Sequence, residues 1–244
     1  MAECCALPGE NPSQGQKRRA GVPSTSLRTG PLHTIRIKVT GSVRPTHPLL
    51  SPRRRACICS GMTNLTRFNL AEAVAVLSHT PAALDALLRG LPEVWVNSNE
   101  GKDSWSAFDI VGHLIVGERT DWMPRARIIL ESGDARAFDP FDRFAQEKES
   151  QGKSLEQLLD EFARLRRENL AALQALNLQP EDFARRGKHP ALGAVTLGEL
   201  LATWAVHDLT HVHQLSRVMA HQYREAVGPW SAYLGVLQCG GHSA

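Results

Sequence analysis

The chain has 244 residues, 42% of them apolar and 22% charged, with a formal net charge of +3, an ordinary balance for a soluble globular protein. The charge is unevenly spread: residues 1–61 hold ten of the 28 basic residues and only Glu3 and Glu10 of the 25 acids, so they carry +8, and the remainder, with 18 basic against 23 acidic residues, carries −5. An acidic body removes the main support for nucleic-acid binding, and with no stretch of about 18 uncharged apolar residues a membrane span is excluded.

Residues 1–61 also contain seven of the 14 prolines and four of the five cysteines. They show no sustained period of 2 or 3.6 and too little apolar surface to offset chain entropy, so they are expected to be disordered. No apolar core follows Arg18 and Arg19, or Arg53, Arg54 and Arg55, as a secretory or twin-arginine signal would need. An arginine-rich, acid-poor start loosely resembles an organelle transit peptide but lacks its amphipathic helix. Met62 stands just before helical patterning begins, so 1–61 reads either as a tail or as an extension upstream of the true start, and 62–244 as the folded domain. Cys57 and Cys59 form a CxC and Cys4 and Cys5 are adjacent, neither with the paired CxxC of a structural zinc site. The body has Cys239 alone, so its fold needs no disulfide and suits a reducing cytoplasm.

Four amphipathic segments follow. Leu70, Val74, Leu77, Leu84, Leu87, Leu88 and Leu91 keep one face through the first, with Thr80 and Pro81 placed to break or restart it. Residues 104–132 form the second, with Ile110, Val111, Leu114, Ile115, Trp122, Ala126 and Ile129 inward. The third starts at Ser154 with a capping box, SLEQ, and continues through Leu158, Phe162, Leu165, Leu173 and Leu176. The fourth starts with a second box, Thr196 to Glu199, and runs to about Ala226, before Gly228 and Pro229. No run of alternating β-branched residues competes, so the class is all-α and the economical architecture a four-helix bundle. The twenty residues 133–152 reach roughly 66 Å when extended, against about 43 Å for a 29-residue helix, so this connection can cross the bundle and leave helices two and three parallel. Structureless loops of that length are uncommon unless functional, and the three phenylalanines of this one, Phe138, Phe141 and Phe144, suit a lid over a pocket.

The fourth helix contains WAVHDLTHVHQL. His207 and His211 lie one turn apart on the same apolar stripe as Leu197, Leu200, Leu201, Trp204, Leu215, Val218 and Met219, while His213 and His221 fall away from it. A buried imidazole must satisfy two ring nitrogens where the helical backbone is already paired, and two stacked rings double that demand. A divalent metal meets it by taking one nitrogen from each. His113, beside Ile110 and Gly117 in the second helix, falls at a similar mid-bundle level and is the third candidate. Gly117 leaves space there for a neighbouring helix or ligand. Three histidines with an open position are a catalytic arrangement, since a closed structural site takes four protein ligands. Against this stand core histidines without a metal. Asp208, Asp109, Glu118 and Asp121 could be ligands or orienting groups, with solvated helix faces the default for each. Arg119, Arg125 and Arg127 could hold an anionic substrate or sit in i, i+4 ion pairs such as Asp121 with Arg125.

GHLIVGERTDWMPRARIIL and TLGELLATWAVHDLTHVHQLSRVMAHQYREAVGPW resemble the DinB-like (DinB/YfiT) superfamily of metalloenzymes, over Met62 to about Leu237. The family pattern, one histidine in the second helix and HxxxH in the fourth, is matched by His113, His207 and His211. The resemblance implies a four-helix bundle with a long crossover between helices two and three, a bound divalent metal, commonly zinc or nickel, and homodimers. It also implies thiol-dependent chemistry, since relatives include transferases and isomerases that use bacillithiol, mycothiol or glutathione. On this reading the metal turns a small thiol into a nucleophile aimed at a small-molecule electrophile beneath the crossover. The alternatives are hydrolysis by a metal-bound hydroxide with Asp208 or Glu118 as proton acceptor, and a non-catalytic bundle stabilised by metal or binding a ligand.

Overall fold

The first helix, α1 (Leu70–Leu88), begins where the Oδ1 of Asn69 accepts from the backbone N–H of Ala71 at 2.9 Å and of Glu72 at 3.3 Å. The computed structural model describes residues 68–239, so the disorder expected of 1–61 and the boundary at Met62 lie outside the described residues. The expected break at Thr80 and Pro81 does not occur, and α1 runs through Pro81. Proline removes the N–H that would bond the carbonyl of Leu77, and the Nη1 of Arg166 donates to that carbonyl instead, at 2.8 Å. The orphaned acceptor is thus satisfied from another helix.

The expected second helix is two. After α2 (Glu93–Asn97), α3 (Ala107–Thr120) and α4 (Trp122–Ser132) meet at Asp121, whose φ of −107° and ψ of −70° mark a break. Pro124 follows in the first turn of α4, where its missing N–H is tolerated. The carbonyl of Glu118, just before the break, accepts from Asn169 Nδ2 at 2.7 Å. Two further helices complete the bundle. In α6 (Leu155–Ala175) the box of Ser154 and Gln157 is formed, and in α7 (Leu197–His221) that of Thr196 and Glu199, as expected from sequence. α7 ends at His221, short of 226, because the following residues turn through tighter i→i+3 bonds such as Arg224 N to His221 O.

Cross-helix pairs give the directions. Arg89 bonds Asp160 and Leu77 bonds Arg166, so α1 and α6 are antiparallel. Leu155 and Leu158 share one apolar cluster with Ile110 and Leu114, whereas Leu170 and Leu173 share another with Trp122 and Ile129, so the second and third long helices are parallel, as a crossing connection demands. That connection is not structureless. It holds a 3₁₀ turn at Gly133–Ala135 and α5 (Ala145–Glu149), and α5 lies on α3 so closely that a Cβ on Gly112 would come within 2.5 Å of Ser150 Oγ.

The chain also contains two strands, which the all-α expectation omitted. β1 (Arg186–His189) and β2 (Gly193–Thr196) pair antiparallel, with Gly187 opposite Val195 and His189 opposite Gly193. Strands of four residues with glycine and lysine among them are too short and polar to show a period of 2. Phe138 N–H donates to Lys188 O at 2.9 Å, which ties the crossover to the hairpin, and Gly187 lets β1 press on Ile129 and Phe138. The two apolar clusters, one around Leu77, Trp122, Leu173 and Trp204 and one around Leu84, Ile110, Phe162 and Leu215, leave a polar layer between them at mid-bundle. Among the described residues no helix is long and apolar enough to cross a membrane.

Candidate metal centre

α3 and α7 bring His113, His207 and His211 together in that layer. His113 is 1% exposed and the other two 8%. The Nε2 atoms of His113 and His207 lie 3.3 Å apart, and those of His211 and His207 3.1 Å. The Nδ1 of His211 is 2.7 Å from Gln214 Oε1, an acceptor, so that nitrogen carries the proton and Nε2 keeps its lone pair. Burial pushes the pKa of all three rings below the ordinary imidazole value, with His211 and Arg143 also lowering His113, and His211, His113 and Arg166 lowering His207; for His211, Gln214 and Asp208 oppose the shift without reversing it. All three are neutral at pH 7.

The fit to a cation rests on these atoms. A proton on His207 Nε2 can serve His113 or His211, not both, although the three Nε2 atoms face one another. Protons alone therefore leave lone pairs unmet. A tetrahedral ion with metal–nitrogen bonds of about 2.0–2.1 Å holds its ligands roughly 3.3 Å apart, close to the two spacings observed. Among the described residues these three are the one group of histidines, cysteines and carboxylates placed to hold an ion.

Aromatic rings enclose the group. Trp105 lies 4.7 Å from the ring of His113 and 6.4 Å from that of His211, Phe141 of the crossover stands edge-on to His113 at 5.4 Å, and Trp122 stands edge-on to His207 at 5.0 Å. Gly117 makes the last contact feasible, since a Cβ there would meet the Trp122 indole nitrogen at 3.3 Å. The space opened by this glycine is filled by the chain itself.

The other candidates lie elsewhere. Glu118 and Asp208 are not solvated: they are 2% and 0% exposed and share Arg166. Arg166 bonds Asp208 through two nitrogens at 2.6 and 2.9 Å, and Glu118 Oε1 at 2.8 and 3.0 Å. Glu118 also accepts from Trp204 Nε1 at 3.0 Å and from Asn169 Nδ2 at 2.9 Å. For Arg166, burial works against the charge, but Asp208 and Glu118 outweigh it and hold the pKa above the ordinary value. Sequence reasoning missed Arg166, although the signal was there: it falls on the stripe of Leu159, Phe162 and Leu173, where a charge needs partners. Trp204, stacked on Trp122 at 5.8 Å, joins this network to the wall of the histidine group.

Asp109 caps α3 in a box with Ser106. Arg119 pairs with Glu149 and Glu161 from other elements, and Arg125 pairs with Asp121, as the i, i+4 spacing suggested, and lies over Phe138 at 5.2 Å. Burial raises the Asp121 carboxyl against the pull of Arg125.

The profile of the DinB superfamily matches residues 77–215, more than half of the chain and including all three histidines. The chain belongs to the DinB superfamily. A solved structure of a DinB-like protein, YfiT from Bacillus subtilis, which has an unusual four-helix bundle topology, is similar with a TM-score of 0.52 and 22% identity, covering 61% of this chain and 86% of that one. This likeness supports the bundle of the DinB chain described here. A comparison with curated proteins gives no match.

Proposed function

We propose that this DinB-superfamily chain binds one divalent metal ion, zinc or nickel, through the Nε2 atoms of His113, His207 and His211, and transfers a small thiol of the bacillithiol, mycothiol or glutathione type to a small-molecule electrophile. The convergence of three neutral, buried imidazole nitrogens at 3.1 and 3.3 Å carries the reading. Imidazole suits either metal, and three uncharged ligands leave the ion its full charge and room for an exogenous group. When bound, the ion lowers the pKa of a coordinated thiol or water and so makes it nucleophilic at neutral pH.

The chain's own residues orient and shield. Gln214 fixes the ring of His211, and Trp105, Phe141 and Trp122 keep water from the imidazoles. A thiol co-substrate is favoured because Glu118 and Asp208, the two carboxylates that hydrolysis would use as proton acceptors, are already engaged by Arg166. A nucleophile that arrives on a co-substrate needs less from a protein base.

Hydrolysis is the second reading, favoured by the description of YfiT as a probable metal-dependent hydrolase. The test incubates metal-loaded protein with each thiol and an electrophilic chromophore, beside the His207→Ala variant. Thiol-dependent turnover, lost in the variant, is expected. Equal rates in both overturn the proposal. Turnover without thiol selects hydrolysis, and a metal-dependent melting temperature without turnover selects a non-catalytic bundle.

A further inference from the structure

The crossover delivers two polar side chains that the metal reading leaves unused. Arg143 follows Phe141, the ring that stands against His113, by two residues, and its charge is felt at His113. Its guanidinium lies over Phe144 at 5.1 Å, and its buried Nε has no hydrogen-bond partner. No carboxylate among the described residues pairs with it, whereas Arg119, Arg125, Arg166 and Arg217 each hold one. Three residues on, Gln146 is 1% exposed, and neither its Nε2 nor its Oε1 has a partner. Gln146 packs on α3 one residue from His113 in sequence, since a Cβ on Gly112 would lie 3.2 Å from its Cβ.

Buried donors without acceptors are costly unless a ligand completes them. The charge balance gives that ligand its sign. Three imidazoles contribute no negative charge, Asp208 and Glu118 are bound to Arg166, and Arg143 adds a positive one. A single unpaired arginine matches a monoanion, and its planar fork fits two oxygens side by side.

We propose that Arg143 and Gln146 form a carboxylate-recognition subsite, which holds the substrate's carboxylate against the crossover while its reacting end faces the histidines. The orientation of the reacting end rests on the metal reading, but the anion subsite exists without the ion. Phenylacetate, an aryl carboxylate suited to a wall of Trp105 and Phe141, is the probe, with phenylacetamide as neutral control and phenyl phosphate as dianion.

Calorimetric titrations use the full chain, both metal-free and metal-loaded. Phenylacetate should bind saturably in both forms and phenylacetamide at least about tenfold more weakly, the scale of a charge-assisted hydrogen bond. Arg143→Gln should weaken phenylacetate by about ten- to a hundredfold with metal content and melting temperature unchanged, Arg143→Lys by less, and Gln146→Leu by about tenfold or less. Equal affinity in Arg143→Gln, equal affinity for the amide, or no saturable binding overturns the subsite. Tighter binding of phenyl phosphate overturns its assignment to a carboxylate. Arg143-dependent binding by a protein that takes up no metal would leave this subsite standing and remove the metal reading.

Discussion

Gln214 holds the imidazole of His211 at 2.7 Å and so decides which of its nitrogens faces His207. Replacing it with leucine should lower metal affinity by about 10–100-fold with the helical spectrum unchanged, read by competition with a chromophoric chelator. Arg166 is a different case. Removing it leaves Glu118 and Asp208 buried without a counter-charge, so Arg166→Met should destabilise the fold by about 3–5 kcal/mol in denaturant melts. A loss below about 1 kcal/mol would show that the carboxylates find other partners or take up protons. The two groups were unequally legible. His207 and His211 announced themselves by sharing an apolar stripe one turn apart, a pattern contained in a single helix. Arg166 was signalled only by its place on the stripe of Leu159, Phe162 and Leu173, and its partners on α1, α3 and α7 become visible only once those helices are placed. Trp105 was invisible for the same reason, since nothing in the local sequence sets it over His113.

The helices show how one residue type has opposite effects. Pro81 leaves α1 intact because Arg166 takes the carbonyl of Leu77, and Pro124 marks the start of a new helix at the break after Thr120. Capping boxes at Ser154 and Thr196 were readable because the box is closed within four residues. The hairpin was not readable, since its stability comes from non-local contacts of Gly187 with Ile129 and Phe138 and from the backbone bond of Phe138 to Lys188. A Cβ on Gly187 would meet Ile129 Cγ1 at 2.6 Å and the Phe138 ring at 3.1 Å. Gly187→Ala should therefore cost about 1–3 kcal/mol and raise hydrogen exchange at the amides of Phe138 and the hairpin before that of α6. Unchanged protection there would mean that the crossover is anchored by α5 alone.

Across the whole bundle the polar layer at mid-height is the feature that apolar periodicity could not supply, although the crossover, the parallel pair of helices and the histidine level followed from segment lengths. That layer makes stability depend on pH. His113, His207 and His211 have folded pKa values lowered by burial, so below about 6.5 the unfolded chain binds protons that the native protein does not, and stability falls as pH falls. Metal-free protein should lose up to about 1.4 kcal/mol per pH unit for each histidine kept neutral, seen as a melting temperature constant above about pH 7 and dropping below it. A flat profile would mean that the rings titrate in the native state as they do in the unfolded chain. The most direct measurement is the metal content of purified wild-type chain beside His113→Ala, His207→Ala and His211→Ala, with X-ray absorption on any metal retained. About one ion per wild-type chain, with nitrogen neighbours near 2.0–2.1 Å and loss in each variant, is expected. A wild-type chain without stoichiometric metal, or an ion that remains when His207 is replaced, would contradict a centre built from these three imidazoles.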